Sequence, residues 1–248
     1  MQINRIASVI IILTGFLNLQ AQYPDGKEIL MRIDRNMTSE NRFYSSSMVI
    51  HGRRTTITFK LNTWTAGEKK SFTEYTFPVR EQGTKMLKLD EQLWIYSPDA
   101  DRIIQIAGHM LRQSVMGSDL SYEDLMEDSR LTDRYNAKVT GTEIIDGRNC
   151  WIIELAAFVP EVAYQGMKIW VDQERDIPLR EEMYAKSGTL LKRSQLSNIV
   201  RINERWYPKK LIFKDMLKEG MGTELIIDEI QFNVPIAEHI FSKASLKK

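Results

Sequence analysis

The chain has 248 residues, 43% hydrophobic and 27% charged, with 34 Lys or Arg against 33 Asp or Glu and a formal net charge of +1. That length allows a substantial buried core, and the near-neutral balance removes any global electrostatic reason to seek nucleic acid, whose binding depends on neutralising phosphates. Cys150 is the single cysteine, which excludes an intramolecular disulfide.

The N-terminus reads as an export signal. Arg5 precedes the short apolar run "IASVIIILTGFL", and "NLQAQ" follows with the small residue Ala21 before an expected cut. The run is short for a membrane anchor, which is the alternative reading. Cleavage would leave a mature chain of about 227 residues starting near Gln22, uncharged overall, as one domain over 22–248. No cysteine near the cut suggests a lipid-modified terminus.

Helical spacing of Ile29, Leu30, Ile33 and Met37 in "YPDGKEILMRIDRNMTSE" predicts an amphipathic helix. From Phe43 the period becomes two. "TTITFKLNTW" places Thr55, Ile57, Phe59 and Leu61 on one side, "SFTEYTF" alternates again, and "KMLKLDEQLWIYSPDADRIIQI" reads as strands broken by turns. Residues 42–90 carry nine Lys or Arg against four Asp or Glu. A solvated outer sheet face explains that bias, with a dock for anionic headgroups as the weaker reading.

"AGHMLRQSVMGSDLSYEDLMEDSRL" breaks the pattern. Met110, Leu111, Ser114 and Val115 suit one or two helical turns ended by Gly117, and a second helix is expected from Tyr122 to about Ser129. Strands then resume, with a hairpin at Asp146-Gly147, three strands through "GMKIWVDQERDIPLREEMYAKSGTLLKRSQLSNIV", a closing pair across "KEGMG" and a short terminal helix or loop. Cys150 lies in "CWIIEL" as a buried apolar residue. Strands without intervening helices imply an antiparallel sheet. The expected class is mainly β (α+β), about eleven strands bent strongly, with helices against one face.

The acidic cluster in "MGSDLSYEDL" invites a catalytic or metal reading, but Ser121-Tyr-Glu-Asp124 has the Ser-x-x-acid form of a helix cap. Asp119, Glu123 and Asp124 would then lie near the positive end of that helix, with Leu120 and Leu125 at staple spacing. The cluster is not a calcium loop. His51, His109 and His239 lack a second His at ligand spacing, and no Gly-x-Ser-x-Gly elbow occurs. Composition and spacing therefore point to no enzyme, no cofactor and no metal; a hydrolase using Asp119 or Glu123 is the minor alternative. What remains is a concentration of flexible apolar side chains, Met110, Leu111, Val115, Met116, Leu120, Leu125 and Met126, which either plug the sheet's concave face or meet a lipid.

The phrases "LWIYSPDADRIIQI", "SVMGSDLSYEDL", "GMKIWVDQERDIPLREEMY", "WYPKKLIFKD" and "GTELIIDEIQFNVPI" together resemble the outer-membrane lipoprotein-sorting proteins, the LolA-like periplasmic carriers. The resemblance implies an unclosed β-barrel with helices over an apolar concavity that takes acyl chains when a lid moves. It places Gly117 at the lid hinge, Ser121 at the lid-helix cap, and Arg53, Arg54 or Arg80 as candidates to hold the lid. Its partners would be lipoprotein acyl chains or free lipid, an inner-membrane exporter and an outer-membrane acceptor; nothing in the sequence demands more than a monomer. Burial of one long chain offers on the order of 10 kcal/mol, so a carrier needs a cover that competes with its cargo. A non-carrying accessory domain of an exporter is the alternative.

Overall fold

The computed structural model describes residues 23–52, 55–126 and 130–247. The expected signal, its cut at Ala21, Arg53, Arg54 and the far end of the second helix at Ser129 lie outside these residues.

Helix α1, Gly26–Met37, starts where the Asp25 side chain accepts from the N–H of Lys27. Its spacing works as expected: Ile29, Leu30 and Ile33 are buried against Val139, Ile153, Leu155, Ile169 and Val171. Thirteen strands follow in one antiparallel sheet: β1 Asn41–His51, β2 Thr56–Ala66, β3 Lys70–Phe77, β4 Lys85–Leu89, β5 Gln92–Ser97, β6 Arg102–Ile106, β7 Tyr135–Ile145, β8 Arg148–Ala157, β9 Gly166–Asp172, β10 Pro178–Tyr184, β11 Leu190–Ile202, β12 Arg205–Asp215 and β13 Thr223–Phe232. The sheet is curved and unclosed. The expected count of about eleven falls short of the thirteen strands because β4, β5 and β6 have only five or six residues each. Alternation alone separates such short strands poorly.

The spatial order is β6-β5-β4-β3-β2-β1-β13-β12-β11-β10-β9-β8-β7. Consecutive strands are therefore neighbours almost throughout, and pairing of β1 with β13 brings the two ends of the strand series together. The exception is the connection from β6 to β7. These are the two edges of the sheet, so residues 107–134 must cross from one edge to the other. Topology, more than local propensity, puts this segment over the hollow.

The crossing segment is less helical than its sequence suggests. It has short 3-10 turns at Gly108–Arg112 and Val115–Gly117, then helix α2 at Tyr122–Met126. At the Asp146-Gly147 hairpin both residues have positive φ, 49° and 75°, and Ile145 pairs with Arg148, the backbone that a two-residue turn between twisted strands requires. Cys150 is fully buried with Trp170, Ile177 and Leu179. On Phe72, Leu87 and Trp94, two C-terminal 3-10 turns, Glu238–Phe241 and Lys243–Lys247, bury Phe241 and Leu246. No helix among the described residues is long and apolar enough to cross a membrane.

Candidate functional site

Between the crossing segment and strands β1 to β5, β12 and β13 lies a cavity of about 300 Å³. Register explains its lining. Arg42, Thr65, Ser71 and Lys88 pair in sequence across β1, β2, β3 and β4 and form a polar row. Tyr44, Thr63, Thr73 and Met86 form the next row, where Thr63 and Thr73 hydrogen-bond through their hydroxyls at 3.0 Å. Beyond them come Ser46, Leu61 and Tyr75, and then Met48 beside Leu225. All of these residues line the cavity, which therefore grades from cationic and hydroxylic at one end to apolar at the other. Tyr75 is fully buried, and its hydroxyl has no hydrogen-bond partner among the described residues. Such an orphan costs about 1–3 kcal/mol. Burial, with the charges of Tyr122 and Glu81 adding to it, holds that hydroxyl well above the ordinary phenol range.

The cover contributes Val115, Leu120 and Leu125 to the lining, and Met116 packs on the adjoining core of Met48, Phe59, Leu61 and Phe213. Met110, Leu111 and Met126 are not brought to the cavity. Met110 and Leu111 lie on the 3-10 turn packed against α2, and Met126 enters the site through its backbone carbonyl.

The three carboxylates have three different fates. Asp124 makes a reciprocal cap with Ser121: its side chain accepts from the Ser121 N–H at 2.6 Å, and its own N–H donates to Ser121 Oγ at 3.2 Å. Its other oxygen accepts from the hydroxyl of Tyr164. Asp119 is not a helix-end charge, which corrects the sequence expectation. It is bolted into the sheet, accepting from the N–H of Asp215 at 2.9 Å, the hydroxyl of Thr223 at 3.1 Å and Lys214 Nζ at 3.3 Å. Glu123 has no hydrogen bond or ion pair with the described residues. Removing the cap with Ser121→Ala is expected to cost about 1 kcal/mol, read as faster hydrogen exchange confined to residues 121–126.

Two lysines from the sheet hold the cover. Lys192, on β11, is buried and donates to the Asp119 carbonyl at 2.7 Å and to Asp215 Oδ2 at 3.0 Å, with Asp124 Oδ2 at 3.8 Å. Lys88, on β4, donates to the Met126 carbonyl at 3.0 Å. Burial pushes the Asp215 carboxyl upward, but the hydrogen bonds from Lys192 and the Leu217 N–H and the charges of Lys192 and Lys218 outweigh it, leaving its pKa below the ordinary range. Arg80, a sequence candidate for holding the lid, points into solvent with its side chain 87% exposed. Neither lysine was anticipated. The only hint was their place on strands: Lys192 shares its face with Ser194 and Leu196, and Lys88 with Met86, all buried.

Glycine at 117 has φ +77°, next to Met116 at +51°. Both lie inside a small loop that Ser114 and Ser121 close by pairing, where Val115 N–H donates to the Leu120 carbonyl at 2.9 Å. Lys218 donates to Ser114 Oγ and to the Ser118 carbonyl, at 2.5 and 3.0 Å.

A further acid sits on the concave side. Ile153, Ile169, Glu181, Ser194 and Phe213 pair across β8 to β12 in one row. Burial pushes the Glu181 carboxyl up, and the hydroxyl of Ser194, which donates to it, only partly opposes this. Among the described residues no group of three His, Cys, Asp or Glu could hold a metal ion.

No curated protein matches the chain. Among solved structures, an outer membrane lipoprotein-sorting protein domain from Vibrio parahaemolyticus is 23% identical with a TM-score of 0.77, covering 90% of this chain and 98% of that one. A DUF1329 family protein from Desulfovibrio piger is 24% identical with a TM-score of 0.79, covering 89% and 97%. A LolA superfamily protein from Nitrosomonas europaea is 23% identical with a TM-score of 0.74, covering 90% and 100%. Residues 67–248 match a family model described as "Uncharacterized protein". The chain thus belongs to that family, and its fold is the curved, unclosed sheet of the LolA-like lipoprotein-sorting proteins.

Proposed function

We propose that this protein is a periplasmic carrier that binds acyl chains of lipoproteins or lipids beneath the crossing segment and shuttles them towards the outer membrane. The observation that carries this reading is the cavity of about 300 Å³ between the sheet and a cover held by both polar and apolar contacts. Sites for small ligands begin at about this size. A fully packed concavity would instead have favoured the accessory-domain reading. About ten buried methylenes would contribute roughly 8 kcal/mol, enough to compete with the apolar contacts of Leu125 that the chain replaces. The short apolar N-terminal segment and the LolA-like fold support export and carriage.

The moving part is α2. Asp119 and Lys218 fasten residues 114–121 to β12, β13 and their turn, so the pivot lies at Ser121 and not at Gly117. Opening then requires release of Asp124 from Tyr164 and Lys192, and of the Met126 carbonyl from Lys88. To test this, Asp124→Cys and Tyr164→Cys are combined in a Cys150→Ser background and joined by a short bismaleimide. The crosslinked protein is expected to lose uptake of a fluorescent fatty acid that the unjoined variant retains. Equal uptake by both would overturn the gated carrier.

A further inference from the structure

We propose that the cavity recognises an acyl chain by the neutral carbonyl that joins it to its head, an ester or an amide, with the Tyr75 hydroxyl as donor. This rests on the carrier reading and narrows it to acylated cargo in preference to free fatty acid. Tyr75 lies on β3, pairs with Leu61 on β2 and lines the cavity. Its ring meets that of Phe59 edge-on, with centroids 5.9 Å apart, a contact that sets where the hydroxyl points. The side chain is fully buried, and the hydroxyl has no hydrogen-bond partner among the described residues. Buried hydroxyls are ordinarily satisfied by protein or by ordered water. An orphan in the wall of a cavity is a group whose partner arrives with the ligand.

The surrounding wall is hydroxylic as well. Ser46, in the same row on β1, and Thr65 on β2 are buried, and no hydrogen bond among the described residues engages their side chains. Thr63 and Thr73, in the row between, satisfy each other. Beyond Ser46 the lining turns apolar at Met48 and Leu225. A carbonyl accepts from such hydroxyls at little desolvation cost, whereas a carboxylate brings into the same enclosed space a charge whose burial is far more costly. Burial, then the charges of Tyr122 and Glu81, keep the Tyr75 hydroxyl protonated, and the Glu81 carboxylate equally opposes a second anion beside it. The cations of the lining are turned to backbone carbonyls, Arg42 to that of Met37 and Lys88 to that of Met126.

Tyr75 also links recognition to opening. Tyr122, the first residue of α2, packs on the apolar core that contains Tyr75. Movement of α2 therefore uncovers the tyrosine, and the open form gains from the cargo carbonyl a hydrogen bond that the closed form lacks. A difference of that kind between two forms is what allows a ligand to shift their equilibrium.

The test uses the mature protein stripped of lipid. Monopalmitoylglycerol, its ether counterpart hexadecylglycerol, palmitoylethanolamide, palmitate and a diacylated lipopeptide compete in one displacement assay. The ester and the amide are expected to bind about tenfold more tightly than the ether, which lacks only the carbonyl, and more tightly than palmitate. In Tyr75→Phe the ratio of ester to ether affinity is expected to fall to about one, with ether affinity unchanged. The melting temperature of the empty variant should stay level or rise, because an unsatisfied buried group has been removed. A lower melting temperature with ester and ether weakened alike would give the hydroxyl a structural role and overturn the site. Equal binding of ester and ether by the wild type overturns the carbonyl site and leaves the carrier standing; tighter binding of palmitate overturns the neutral head. The tighter of monopalmitoylglycerol and lipopeptide tells a free glyceride from a protein terminus, and Tyr75→Phe must weaken whichever it is. Failure of every probe to bind overturns the carrier reading itself, and this proposal with it.

Discussion

Lys192→Met is expected to release the crossing segment while the sheet stays folded. The ammonium is the shared partner of the Asp119 carbonyl, Asp215 and Asp124, and the side chains of Lys192 and Asp215 are only 11% and 13% exposed. Removing one partner of such a buried group leaves uncompensated charge, at a cost of about 3–5 kcal/mol. The loss falls on the element that the lysine fastens. Hydrogen exchange at residues 114–126 should therefore quicken by about a hundredfold or more, with β1 to β5 little changed. Unchanged protection of that segment would show that the clasp contributes nothing. Acid should mimic the substitution. The pKa of Asp215 is lowered in the folded protein, so its contribution is complete above the ordinary carboxylate pKa and is lost as pH falls through the lower folded value. Wild type and variant should accordingly converge in stability only on the acid side of the ordinary carboxylate range.

Asp119→Ala should have the second large effect, and it separates specific anchorage from the overall charge of the acidic cluster. The substitution removes the acceptor of the Asp215 N–H, the Thr223 hydroxyl and Lys214. Thr223 is fully buried, and each buried group left unsatisfied costs about 1–3 kcal/mol. A loss of about 3 kcal/mol in urea unfolding is expected. Glu123→Gln, four residues beyond the anchor in the cover's helix, should stay within about 0.5 kcal/mol of wild type. Similar losses from both substitutions would mean that the acidic cluster acts through its overall charge and not through the bolts seen here.

The two carboxylates show how unevenly the site could be read from the chain. A Ser followed three residues later by an acid is a local signal, and the cap between Ser121 and Asp124 spans only that distance. Asp119 looked like a member of the same local group. Its bonds reach Asp215 and Thr223, 96 and 104 residues away, and no spacing rule connects such positions. The seven apolar residues of the crossing segment divide for the same reason. Periodicity marks them as apolar, but only the path of the backbone brings Val115, Leu120 and Leu125 to the cavity and leaves Met110, Leu111 and Met126 aside.

By itself the sequence determined the elements whose information is local. These are the buried face of α1, the alternation that makes an antiparallel sheet, the turn at Asp146-Gly147 and the cap at Ser121. The tertiary structure decided what depends on which strands meet. Pairing of β1 with β13 leaves β6 and β7 as opposite edges, so the segment between them crosses the hollow. That crossing brings Lys88 and Lys192 to the cover, and the register of β1 to β4 aligns Arg42 with Lys88. Hairpin turns and helix caps are set by neighbours within a few residues, whereas lysines on distant strands find their partners only after the whole sheet has closed its order.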